Sequence, residues 1–296
     1  MTRLTKLLCL SASLAAAAAA GAGRRAGSGS WRLVFEDDFD GPVVNASSWN
    51  VYANVSEGSN QIELYTADNV FTTSVDGRSA LALRTRPQDV VLNGKSFNVT
   101  SGRVDTSLKV NLTFGRVEVV ARLQNDAASG LHTAHWLLGY DCWPVGGEID
   151  IMESQSPHNA YIGGDAGGTW QVATSNVHTG AACGVETKHT TGTSAWPKAA
   201  SPAVNFTSYW TTFAVEWNAS SLVFFVNETV VNVVYDGMPG WSGPVRIPSK
   251  PMFLILSQAY MAHRPYGNPP SWAWPVMQFI DAVRMYEWVA PVLSNV

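Results

Sequence analysis

Charge is scarce in this chain of 296 residues: Asp, Glu, Lys and Arg make up 14% of it, against about 25% in an ordinary globular domain. Positive charge is scarcer than negative, with 19 Lys and Arg facing 23 Asp and Glu, which excludes the basic surface of a nucleic-acid binder. Beyond the N-terminus no segment reaches the roughly 20 apolar residues of a membrane-spanning helix. A sustained helical period is missing, and so is a Pro/Ser-rich linker that would divide the chain. What is abundant is apolar and aromatic: 46% hydrophobic residues and 12 Trp, a composition that excludes disorder.

The first residues read as a targeting segment. Met1–Lys6 carries Arg3 and Lys6, residues 7–20 are uncharged and mostly Leu and Ala, and Gly21, Ala22 and Gly23 follow. A charged start, a short apolar run and a small-residue exit predict a secretory signal peptide over residues 1–26. Residues 27–296 are then one domain, secreted to the extracellular space or cell wall and expected to be a monomer. Without Arg3 and Lys6 the formal charge moves from −4 to −6. Cys9 leaves with the leader, so Cys142 and Cys183 remain as an expected disulfide in an oxidising compartment. Seven Asn-x-Ser/Thr sequons, at Asn45, Asn54, Asn98, Asn111, Asn205, Asn218 and Asn227, mark surface positions if they are glycosylated.

Strand patterns dominate the rest. Gly115–Leu123 sets Val117, Val119, Ala121 and Leu123 on one side and Arg116, Glu118 and Arg122 on the other, the period-2 alternation of a half-buried strand. Residues 79–86, 211–217, 222–226, 229–235, 251–256 and 277–288 predict further strands. So many strands in one block indicate an all-β sandwich or barrel, which pattern alone does not separate. Residues 154–202 read as long loops.

One strand is acidic. Between Trp143 and Ser154, Glu148, Asp150 and Glu153 are separated only by Ile149, Ile151 and Met152. Glu148 and Asp150 share a face of a regular strand, with the isoleucines packed behind. Glu153 joins them only if a β-bulge at Ile151–Met152 adds one residue. The two glutamates are then four strand positions apart, about 13 Å between Cα atoms. Inward-leaning side chains can close that to the roughly 5 Å of a retaining glycosidase. A hard cation such as Ca²⁺ and a plain solvated face are the alternatives. Trp136 and Trp143, flat platforms for sugar faces, flank the strand and argue against both.

The segment Gly147–Glu153 closely resembles the active-site signature of glycoside hydrolase family 16. Thr100–Arg103, Phe114–Glu118, residues 134–138, Asn60–Thr66 and Ile280–Tyr286 are similar to its framework, in family order. The resemblance implies a jelly-roll β-sandwich with a glycan cleft on its concave sheet. It implies Glu148 as nucleophile, Glu153 as general acid/base and Asp150 as the residue that orients and tunes Glu148. Asn60, Glu63, Arg103, Trp136, Trp143 and His178 would line the cleft and bind substrate. The spacing with Met152 inserted resembles that of laminarinases, agarases and carrageenases.

Some positions depart from the family pattern. Glu63 stands where Gln is common, Asn60 is followed by Gln61, and residues 257–263 replace a common segment that shapes the cleft. The resemblance implies no cofactor for catalysis; a structural calcium is possible, with Glu36 and Asp281 as candidate ligands. The partner is a polysaccharide, a β-1,3- or mixed β-1,3/1,4-glucan, and the expected activity is retaining endo-hydrolysis. A glucan transglycosylase and a non-catalytic β-glucan-recognition protein are the alternatives, and retention of all three acids favours an enzyme.

Overall fold

The computed structural model describes residues 29–57, 61–123, 130–155, 173–190, 209–240, 243–261 and 274–290. The predicted signal peptide, Asn60, Asn205 and His263 lie outside them. Six of the seven sequon asparagines are described; five are exposed and Asn218 is half-buried.

The strands in chain order begin with β1 (Ser30–Asp37), β2 (Asn50–Val51), β3 (Leu64–Tyr65), β4 (Val70–Val75), β5 (Arg78–Leu92) and β6 (Lys95–Ser101). Next come β7 (Arg103–Asp105), β8 (Gly115–Leu123), β9 (Leu131–Gly139), β10 (Glu148–Gln155), β11 (Ala173–Ala182) and β12 (Val185–Thr190). The series closes with β13 (Thr211–Trp217), β14 (Ser221–Val226), β15 (Thr229–Tyr235), β16 (Met252–Tyr260) and β17 (Val276–Val289). A single 3₁₀ turn, Ala67–Asn69, is the only helical element among the described residues, and none is long and apolar enough to cross a membrane.

Two sheets form a jelly-roll sandwich. The larger has ten strands, ordered β15-β14-β13-β8-β17-β5-β6-β3, with β1 on β17 and β4 on β5. The smaller has seven, ordered β12-β11-β10-β9-β16-β7-β2. On β8 the alternation places Val117, Val119, Ala121 and Leu123 in the core. From the smaller sheet Leu137, Ile149, Val177 and Leu254 meet them, each such buried side chain contributing about 1.5–3 kcal/mol. On the outer face of the larger sheet Arg116 pairs with Glu118, Glu216 and Glu228. The β13–β14 turn is built by Asn218, whose Oδ1 accepts the amides of Ser220 and Ser221 at 2.8 and 3.0 Å, an Asx-type turn. Asn227 and Glu228, both at positive φ, make the two-residue β14–β15 turn.

One reading of the chain needs correction. Within residues 154–202, expected to be loop, Ala173–Ala182 and Val185–Thr190 are strands β11 and β12. Ala173, Ser175, Val177 and Thr179 alternate with Thr174, Asn176 and His178, and all of them are buried. Polar residues fill both faces of β11, which erases the alternation that marks a strand.

Candidate active site

The acidic strand β10 lies between β9 and β11. Along β9, Glu148 faces Leu138, Asp150 faces Trp136, Met152 faces His135 and Glu153 faces Ala134. Ile151 has no counterpart in that register, and the pairing with β11 shifts at the same place. This is the bulge expected at Ile151–Met152. Ser175 Oγ donates to the Ile151 carbonyl at 3.1 Å there. Ile149, Ile151 and Met152 enter the core, and the three acids share the opposite face.

Each carboxylate has its own partners. Trp143 Nε1 donates to Glu148 Oε2 at 2.9 Å. His178 Nε2 lies 3.0 Å from Asp150 Oδ2 and 3.6 Å from Glu148 Oε1, and its Nδ1 contacts Glu186. Glu153 Oε1 is 2.8 Å from His132 Nε2, and its Oε2 accepts from Asn176 Nδ2. Burial pushes the Glu148 carboxyl up to about 8. The Asp150 and Glu153 charges add to that rise, while His178 and the Trp143 N–H oppose it. Two carboxylates in different surroundings on one face are the usual prerequisite for dividing acid and nucleophile roles.

The expected cleft residues separate into two groups. Trp143 is 42% exposed and Trp136 half-buried, so both present ring surface. Arg103, Glu63 and His178 are buried. Arg103 is 5% exposed, with its guanidinium 5.1 Å from the Trp136 ring centroid and 4.5 Å from that of Tyr52, and paired with Glu57 at 3.0 Å. It supports Trp136 from beneath. Glu63 has no exposed surface, and its Oε2 accepts the Tyr260 amide at 2.8 Å. His178 is buried beside Trp143, ring centroids 6.1 Å apart. Of the departing segment, Ser257–Tyr260 continues β16, and Ser257 Oγ accepts the Trp136 indole N–H at 3.2 Å.

Cys142 and Cys183 form the expected disulfide, with Cα atoms 5.5 Å apart. The bond joins the turn before Trp143 to the β11–β12 turn, where Gly184 N donates to the Trp143 carbonyl at 2.8 Å. Sequence reasoning missed His132 and Asn176. His132 is four residues before Trp136, on the same face of β9, and period 2 extended backward from Trp136 finds it.

Neither cation reading fits the side chains. Glu148, Asp150 and His178 offer ligand atoms within 4.8 Å of one another, but Asp150 and His178 are already bonded to each other. A donor set with imidazole is also unlike the all-oxygen set of Ca²⁺. Of the candidate calcium ligands, Glu36 accepts from Arg284 at 2.7 Å and Asp281 from Arg78 at 2.8 Å, so guanidinium groups already supply the positive charge.

The chain as a whole is similar to known proteins. The chain is 26% identical over 276 residues to a glucan endo-1,3-beta-glucosidase of Cryptopygus antarcticus, covering 88% of this chain and 93% of that one. It is 24% identical over 263 residues to the clotting factor G alpha subunit of Tachypleus tridentatus, covering 87% of this chain but spanning only 34% of that protein. The X-ray structure of the endo-beta-1,3-glucanase from Pyrococcus furiosus superimposes with a TM-score of 0.68 at 25% identity, covering 88% of this chain and 96% of that one. The family model for glycosyl hydrolases family 16 matches residues 54–274, a span that contains the whole acidic strand and its partners, and the chain belongs to that family.

Proposed function

We propose that the protein is a secreted retaining endo-glycosidase that hydrolyses β-1,3-glucan, or mixed β-1,3/1,4-glucan, by double displacement. One observation carries the reading: the bulge turns Glu153 to the face of Glu148, where each carboxylate meets a different set of donors. In the first step the Glu153 proton passes to the glycosidic oxygen. The bond from that oxygen to the anomeric carbon breaks as Glu148 bonds to the carbon. In the second step water attacks the carbon, gives a proton to Glu153 and releases Glu148. Asp150, held by His178, orients Glu148 and raises its basicity through like charge. Trp136 and Trp143 offer ring faces to the sugar.

The glucan preference is supported by the names of the relatives from Cryptopygus antarcticus and Pyrococcus furiosus. Secretion is supported by the charged and apolar N-terminus and by the disulfide. The test is incubation with laminarin, lichenan, agarose and xyloglucan, with product linkage and first-formed anomer read by NMR. Laminarin oligomers released as the β-anomer are expected. An α-anomer at first turnover would sink retention. Binding without turnover would make the protein a recognition module, and products longer than the substrate would make it a transglycosylase.

A further inference from the structure

The imidazole of His178 stands between acids on both of its sides. Nε2 lies 3.0 Å from Asp150 Oδ2 and 3.6 Å from Glu148 Oε1, and Nδ1 contacts Glu186 Oε1. An ionised carboxylate only accepts hydrogen bonds, and a neutral imidazole has one donor nitrogen and one acceptor. A neutral ring among ionised acids therefore turns a lone pair toward a carboxylate oxygen on one side. Both contacts are satisfied together when the group holds one further proton. On the ring that proton makes an imidazolium with both N–H groups donating, and three negative charges around one cation favour that place for it.

Glu186 reaches the ring from the edge strand β12. His178 faces Lys188 across the β11–β12 pair, so Glu186, two positions before Lys188, shares the face of His178. Thr179 faces Thr187 and Ala182 faces Val185, which leaves Gly180 and Ala181 of β11 against Glu186 alone, a bulge. A Cβ on Gly180 would lie 2.0 Å from the Val185 carbonyl oxygen and 2.7 Å from Pro144 Cγ. Only a glycine lets β12 come this close. The side chains of Glu186, His178 and Asp150 are 31%, 10% and 4% exposed, so the row of contacts runs from solvent into the buried acids.

We infer that Glu186 is a positioning residue that holds His178 as a doubly protonated imidazolium, a fixed positive charge beside Asp150 and Glu148. The inference rests on the reading of Glu148 as nucleophile. Glu186 accepts from Nδ1–H, which sets the ring plane and aims Nε2–H at Asp150. A nucleophile must be ionised to attack, and a cation within 4 Å favours that form. Burial and the neighbouring acids push the Glu148 carboxyl up, and His178 is the charge that opposes them. The charged groups facing the ring are Glu148 and Asp150 from β10 and Glu186 from β12, with Lys188 opposite it in the strand register.

The first experiment is a ¹⁵N titration of the His178 ring in the unaltered protein and in Glu186→Gln, with the resonances assigned by their loss in His178→Gln. The glutamine oxygen can still accept from Nδ1–H, so only the charge is removed. In the unaltered protein both nitrogens should keep their protons beyond the ordinary histidine value of about 6.5. Glu186→Gln should lower that midpoint by about one pH unit. A ring that is neutral at pH 7 in the unaltered protein, or a midpoint unmoved by Glu186→Gln, overturns the inference.

The second is the pH dependence of kcat/KM on laminarin. With its cation weakened in Glu186→Gln, Glu148 takes up a proton more readily, and the acid limb should move up by about half to one pH unit. Removing a negative charge without losing the imidazolium would move the limb down, so the sign separates the two effects. In the His178→Gln background the upward shift should vanish, because the link is cut. A limb that stays or moves down in Glu186→Gln, or moves up equally with and without His178, overturns the positioning role. If the unaltered protein does not hydrolyse laminarin, the reading of Glu148 as nucleophile falls, while the ring titration still supports or overturns the imidazolium.

Discussion

The indole N–H of Trp143 donates to Oε2 of Glu148 at 2.9 Å, so the most exposed aromatic platform of the cleft is also a ligand of the proposed nucleophile. The donor favours the ionised carboxylate and acts against the burial that raises its pKa. Trp143→Phe keeps an apolar ring but removes the donor. The Glu148 pKa should rise, and the acid limb of kcat/KM should move to higher pH with a fall in kcat of roughly tenfold, equivalent to about 1.4 kcal/mol. Identical acid limbs in the two proteins would show that the contact has no electrostatic role.

Asp150 has the opposite sign. Its charge raises the Glu148 pKa, so Asp150→Asn should shift the acid limb to lower pH and leave measurable activity. Glu148→Gln should abolish turnover while glycan binding persists on the Trp platforms. Glu153→Gln should cripple laminarin hydrolysis but spare glycosylation by a substrate with an activated aryl leaving group, which needs no proton. Rate profiles of the three variants on both substrates provide the check. Equal losses for Asp150→Asn and Glu148→Gln, without a pH shift, would contradict these roles.

The disulfide links stability to the site. Cys142 and Cys183 are separated by 41 residues, a loop for which cross-linking contributes about 3–4 kcal/mol in the chain-entropy model. Replacing both by Ser should lower the denaturation midpoint accordingly. It should also raise KM, because the Trp143 turn is anchored there. Urea unfolding and laminarin kinetics measure the two effects, and an unchanged midpoint would remove the stabilising role.

His135 gives the fold its own pH dependence. It is fully buried on the core side of β9, with Nε2 2.9 Å from Gln278 Oε1. Burial lowers its pKa from 6.5 to about 4. The unfolded chain therefore takes up a proton below the ordinary histidine value that the folded chain refuses. The stabilisation is present above about pH 6.5 and is lost as pH falls toward 4. His135→Phe should cost stability at pH 7, where Gln278 Oε1 loses its His135 partner, yet flatten the decline of Tm between pH 7 and 5. An equally steep decline in the variant would assign it to other groups.

Much of this was readable residue by residue. Gly115–Leu123 alternates and is a strand over that same span. Glu148 and Glu153, five residues apart, required an extra residue between them to share a face, and the register of β10 contains it. Strand β11 was not readable, because Thr174, Asn176 and His178 on the cleft face and Ser175 and Thr179 among the core-facing positions leave no hydrophobic period. Glu63 and Arg103 were read as cleft residues from the family resemblance, and charged side chains are usually solvated. Burial instead became possible where Tyr260 supplies an amide to one and Glu57 with three aromatic rings surrounds the other.

The chain alone determined the all-β character, the acidic strand and the need for a bulge, since side-chain alternation is a local property of the extended backbone. Only the tertiary structure decided which donor each acid meets. His132, Asn176 and His178 come from β9 and β11, and the turn before Trp143 is joined by a disulfide to Cys183. Desolvation, which sets the Glu148, Glu63 and His135 protonation, depends on what the two sheets close over them. That closure arises from strands distant in sequence, and no local pattern encodes it.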